Sequence, residues 1–254
     1  MDRLVYTSLG AATSQEFNRI QLTSDLANVS TTGYKRSSSN TPVTGELRGP
    51  GFPTRFQPMI PSDVEVVDLS PGSLVATGNP LDLAMQDATV LAVQAADGNL
   101  AFTRRGDLRV NPAGLLETGN GFLVRGTGGP ISAPAGFQLR VTDDGGVYAT
   151  DPNVEAPVPE LIGQLLLRDA SGTRLIRRVD GLYEPAVQQQ ANGDFTSGPA
   201  PGRVSSGALE GSNINPIEVM VTLLDLYRSF ETQMKIIKNT EEIDRDGSRL
   251  MSLN

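Results

Sequence analysis

Apolar positions recur with two different rhythms along this chain, and the change from one to the other divides it. Val5, Leu9 and Ala12, then Leu22, Leu26 and Val29, recur at spacings of three and four. That is the pattern of a helix that buries one face. The spacing predicts a helix over 3–32, with Gln15 and Arg19 interrupting its seam. Gly33 stands where a helix ends on a left-handed residue. Tyr34 is then expected to fold back onto Val29, the hydrophobic contact of such an ending. Ser30, Thr31 and Thr32 are weak helix formers and agree with a stop there.

A second helix is expected over 215–245. Asn215 is a capping residue, Pro216 suits the first turn, and Glu218 follows the cap by three. Val219, Leu223, Leu226, Phe230 and Ile237 form one stripe, and Ile217, Val221 and Leu224 form another. Apolar residues nearly all round a helix call for burial on more than one side. Each terminal helix would span ~45 Å at 1.5 Å per residue. Two readings stay open: a helical pair packed on the chain's own β core, or a coiled coil that continues into neighbouring molecules.

Between the helices the rhythm shortens. Over 62–205, runs such as "LDLAM", "VLAVQ", "LAFTRR", "GFLVR", "FQLRV" and "RLIRRV" alternate with turn signals such as Asp97-Gly98-Asn99 and Asp143-Asp144-Gly145-Gly146. Short strands with frequent glycine punctuation predict an antiparallel sandwich or barrel. Residues 37–61 differ again. Pro42, Pro50, Pro53, Pro58 and Pro61 forbid a helix, and the stretch reads either as a disordered linker or as an extended arm.

Composition narrows the function. The chain has 254 residues, a net charge of −8, no Cys and no His. An acidic chain is a poor nucleic-acid binder, and no run is apolar enough to suggest membrane insertion. Nothing resembles a cleaved secretory signal. Without Cys or His there is no disulfide, no thiol nucleophile and no zinc site. The usual general base is also missing, so no enzyme and no cofactor are expected. Asp151, Glu155 and Glu160 form an acidic cluster, read as a solvated loop. Arg104-Arg105 and Arg177-Arg178 read as edge or solvent-face charge on strands. "RGTGGP" at 125–130 lacks the Lys-Ser/Thr pair of a phosphate loop and reads as a hairpin turn. A soluble periplasmic carbohydrate-binding β protein is a remote alternative, with no Trp to build its site.

Longer stretches carry a resemblance. "DLANVSTTGYKR" at 25–36 resembles the N-terminal motif of bacterial flagellar rod and hook proteins. "ALEGSNINPIEVMVTLLDLYRSFETQMKIIK" at 208–238 resembles their C-terminal motif, with Leu209, Glu210, Ser212, Asn213, Tyr227 and Lys238 at matching positions. "ATGNPLDLAMQ" and "AFTRRGDLRVNPAGLLETGNGFLV" look like the β domain of the rod subgroup. Tyr34 stands where Phe is usual, and Asn215-Pro216 where an acidic residue is common.

The resemblance implies a mixed, mainly β fold: a central antiparallel β domain flanked by terminal helices that form a coiled-coil bundle in an assembled tube. The implied divisions are 1–36 and 206–254 as inner-tube segments, 37–61 as an extended Pro-rich arm, and 62–205 as the β domain. The implied role is a structural subunit of the proximal rod, with a distal rod subunit as the alternative. Its partners would be copies of itself, adjacent rod proteins and the flagellar type III export apparatus, which exports without a cleaved signal into the periplasmic basal body. Assembly contacts are expected from Val5, Leu9, Leu22, Leu26, Asn28, Val29, Thr31, Gly33 and Tyr34. On the C-terminal side they are expected from Ile217, Val219, Val221, Leu223, Leu224, Leu226, Tyr227, Phe230, Met234, Ile237 and Lys238.

Overall fold

A computed structural model describes residues 2–39, 43–44, 59–60, 65–155, 158–187, 190 and 192–251, with side chains of the first helix from Gln15 onward. The chain divides into two compact units. A helical unit takes residues 1–27, 40–63 and 215–254, and a β unit takes 28–39 and 64–214.

In the helical unit α1 covers Asp2–Ala27 and α2 covers Pro216–Met251. The start of α2 is the one the sequence signals. Asn215 Oδ1 accepts the Ile217 N–H at 3.1 Å, and the Asn215 carbonyl accepts the Val219 N–H. That satisfies amides which have no partner inside the helix.

The two helices run antiparallel against each other. Gln15 Nε2 donates to Ser229 Oγ at 2.8 Å, and Arg19, one turn further along α1, meets Tyr227, which lies earlier in α2. The residues that broke the expected seam are therefore its polar contacts. The short strand Val43–Thr44 pairs with Met59–Ile60. Residues 37–39 of the Pro-rich arm form a strand of the β unit, and its residues 40–42, 45–58 and 61 lie outside the described residues.

The end of α1 differs from expectation. The helix stops at Ala27, not Thr32, and residues 28–33 form separate turns. Thr31 N donates to the Asn28 carbonyl, and Thr31 Oγ1 bonds Asn28 Oδ1 at 3.1 Å. Asn and Thr side chains compete with helix bonds in this way. Gly33 does take a left-handed φ of +69°, but beyond the helix, and the Tyr34 ring lies under the Arg177 guanidinium.

The β unit is antiparallel throughout. Its largest sheet is centred on Thr89–Gln94, which pairs with Leu100–Thr103, Leu123–Gly126 and Leu167–Asp169. Thr89–Gln94 is buried on both faces: Val90 and Ala92 enter one core cluster, and Leu91 enters another. A strand covered on both sides reads as a continuous apolar run, as "TVLAVQ" does. The expected turns close as hairpins. At Asp97-Gly98-Asn99, Gly98 has φ +83° and Asp97 Oδ1 accepts the Asn99 N–H. "RGTGGP" is a hairpin, with Arg125 opposite Pro130.

Candidate assembly site

Within the β unit, the first and last segments meet. The Gly33 N–H donates to the Glu210 carbonyl at 2.7 Å, and the Arg36 N–H donates to Asn213 Oδ1 at 2.7 Å. Asn213 Nδ2 donates in turn to the Asp68 carbonyl and to Ser70 Oγ, each at 3.1 Å. Strand Ala208–Glu210 pairs with Leu74–Ala76, and Ser37–Ser39 pairs with Glu65–Val67. Tyr34 lies under the Arg177 guanidinium, 4.2 Å from its ring centre, and Arg177 also bonds the Lys35 carbonyl. Tyr183 Oη donates to the Gly33 carbonyl at 3.3 Å. Burial pushes that phenol up to about 12, so it stays a neutral donor.

A charged knot sits at the centre. Lys35 and Arg104 are fully buried, and Glu210 is 1% exposed. Glu210 Oε1 accepts Lys35 Nζ at 2.7 Å, Arg104 Nη2 at 3.0 Å and the Gly72 N–H at 3.0 Å, while Oε2 accepts Arg104 Nε at 2.8 Å. The remaining donors reach carbonyls: Lys35 Nζ to Ser70, Arg104 Nη2 to Met85, and Arg104 Nη1 to Asp87. Burial alone would raise the Glu210 carboxyl, but Arg104 and then Lys35 outweigh it and hold it below the usual range. Burial pushes Lys35 down, against the pull of Glu210.

This arrangement corrects the reading of the Arg pairs. Arg104 is not solvent-face charge but the largest fully buried side chain among the described residues, and Arg177 is half-buried on Tyr34. Arg105, paired with Asp107, and Arg178, paired with Asp97, Asp180 and Glu184, are the half-buried members that keep a surface style of pairing. Lys35, Arg104 and Arg177 were not among the expected contact residues. The Lys35 and Glu210 positions lie inside the two motifs, but nothing local announces that their partner is Arg104.

The helical unit sorts the remaining residues. Leu22 and Val219 are buried, and Leu26, Leu223, Leu226 and Ile237 are half-buried. These belong to the first stripe. Ile217, Val221, Leu224, Tyr227, Phe230 and Met234 are 41–72% exposed, and Lys238 is exposed. Asn28, Val29 and Thr31 are half-buried in the turns, and Gly33 and Tyr34 are buried in the β unit. Val5 and Leu9 lie on α1, where side chains fall outside the described residues.

On α2 the exposed apolar face is local. Ile217, Met220, Val221, Leu224 and Tyr227 share one side of the first three turns. Further along, the same side carries Arg228, Glu231, Lys235 and Lys238. Phe17 and Ile20, at 55% and 57% exposure, add an apolar pair on α1.

Known proteins match over the same regions. A model described as "Flagellar basal body rod FlgEFG protein C-terminal" matches residues 205–250, and one described as "Flagellar hook protein FlgE/F/G D1 domain" matches 85–149. The flagellar basal-body rod protein FlgF of Salmonella typhimurium is 37% identical over 256 aligned positions, with all of both chains covered. The Escherichia coli FlgF is 36% identical with the same coverage. A flagellar basal-body rod protein FlgG of Agrobacterium fabrum is 29% identical over 91% of this chain and 92% of its own. With full-length identity above the twilight range and both motifs joined in one knot, the chain belongs to the flagellar basal-body rod protein family.

Proposed function

We propose that this chain is a subunit of the proximal flagellar rod. It polymerises with copies of itself and with adjacent rod proteins, FlgG-type distal subunits among them, into a periplasmic drive shaft that encloses the export channel. The type III export apparatus delivers it. In this reading the helices Asp2–Ala27 and Pro216–Met251, within the terminal segments 1–36 and 206–254, build the inner tube as a coiled-coil bundle, and residues 28–36 and 206–214 close the β unit. The β domain over 62–205 faces outward, and the arm over 37–61 bridges subunits.

One observation carries this reading. On α2, Val219 is buried and Leu223, Leu226 and Ile237 are half-buried, while Ile217, Met220, Val221, Leu224 and Tyr227 are 51–72% exposed, Tyr227 even beside Arg19. Five large apolar side chains on three turns form a patch larger than scattered surface apolar residues explain. The pair itself is also incompletely closed. A pocket of about 60 Å³ remains between the helices, lined by Gln15, Glu16, Arg19, Leu226, Tyr227 and Phe230. Contacts between copies that use two different patches, and do not close into a ring, generate a helical tube.

Leu224→Asp tests this directly. Leu224 is 58% exposed, so the charge is tolerated in the single chain but not in a packed bundle. The expected result is unchanged amide exchange in the β unit, with loss of incorporation into basal bodies and loss of motility. Normal motility would contradict the bundle. Leu226→Asp is the less clean variant, because half-buried Leu226 faces the pocket against α1.

A further inference from the structure

Lys35, Arg104 and Glu210 come from the first, middle and last parts of the β unit. Among the described residues, Glu210 is the one carboxylate that hydrogen-bonds to either buried cation. Asp68 reaches Lys35 only by longer-range attraction. Its own oxygens accept Ser70 N and Ser70 Oγ at 2.9 Å. Arg104 and Lys35 repel each other. Without residue 210 the site would enclose two like charges and no counter-charge, which a protein interior does not sustain.

The same segment brings backbone closure. The Glu210 carbonyl receives the Gly33 N–H, strand Ala208–Glu210 covers Leu74–Ala76, and Asn213 receives Arg36. Charge and pairing therefore arrive together, from residues 208–213.

We propose that Glu210 makes folding of the β unit conditional on this last segment. A chain in which the segment is missing, or not yet available, keeps Lys35 and Arg104 in water and leaves the unit open. Helix α2 starts at Pro216, directly after the segment. For a polymer subunit, and resting on the rod reading for this clause alone, the consequence is selective. An incomplete copy offers no folded β unit to the growing structure.

The test uses purified full-length chains and so is independent of the rod reading. Amide exchange in Thr89–Gln94 and Leu100–Thr103 is compared among the parent, Glu210→Gln, and the triple variant Lys35→Met/Arg104→Met/Glu210→Met. Glu210→Gln is expected to lose protection by about 100-fold or more, or not to fold, because it leaves buried charge uncompensated. The triple variant removes all three charges at similar volume but also the partners of the Gly72 N–H and of the Ser70, Met85 and Asp87 carbonyls, so it is expected to regain at least about tenfold of the protection that Glu210→Gln loses. Protection in Glu210→Gln within about tenfold of the parent would overturn the proposal. A triple variant no better protected than Glu210→Gln would also overturn it, since the site would then need these particular side chains rather than a late counter-charge.

Discussion

Gly33→Val is expected to unfold the β unit or cost about 4 kcal/mol or more, at the severe end for one substitution. Two independent penalties coincide. The residue sits at φ +69°, a region that a β-branched side chain resists. A Cβ there would also lie 2.5 Å from the carbonyl carbon and oxygen of Arg104 and 2.6 Å from the Arg105 nitrogen. Those are backbone atoms and cannot swing aside. Moving them would pull Arg104 away from Glu210, so the damage reaches the knot. Gly33→Ala keeps the overlap but lessens the strain of the left-handed backbone, and is expected to be the milder of the two. Urea unfolding, followed by amide exchange in Thr89–Gln94, separates this loss from any change in the helical unit. A Gly33→Val chain as stable as the parent would contradict the close approach.

Arg104→Met is expected to destabilise the β unit by about 3–5 kcal/mol, the range for removing one partner of a buried ion pair. It strips Glu210 Oε2 of its donor and leaves the Met85 and Asp87 carbonyls without theirs. Lys35 alone then faces the carboxylate. Arg104→Lys keeps the charge but loses the planar fork that serves one carboxylate and two carbonyls at once. It is expected to be destabilised as well, by less than Arg104→Met. Equal stability of Arg104→Met and the parent would show that the buried pair contributes nothing to closure.

Much of the architecture was legible because its signals are local. The cap at Asn215, the runs that became strands and the turn at Asp97-Gly98-Asn99 each depend on residues a few positions apart. Gly33 was legible as a left-handed residue but not as a close approach, because Arg104 lies far along the chain. Tyr34 was assigned a local partner in Val29 and found a distant one in Arg177. The greatest misreading was Arg104 itself. A charged residue in a strand is ordinarily solvated, and its partner Glu210 stands 106 positions away. Pattern alone carries no information on such a pairing.

The stripes of α2 show a second kind of limit. Periodicity marks two apolar faces but not which one the chain covers for itself. The structure buries Val219, half-buries Leu223 and Leu226, with Leu226 facing α1, and leaves Ile217, Val221 and Leu224 in water. The helical pair and the proposed bundle with neighbours are thus compatible: the pair leaves Ile217, Val221 and Leu224 free for other copies to cover.

The exposed stripe is the most direct place to test the assembly reading. The chain has no cysteine, so Leu224→Cys introduces a single thiol. Its alkylation would be measured in the purified chain and in isolated basal bodies. Fast labelling of the purified chain and protection in basal bodies are expected if helices of other copies cover the position there. Equal labelling in both would contradict the assembly reading, since the Ile217–Tyr227 face would then remain in water after assembly.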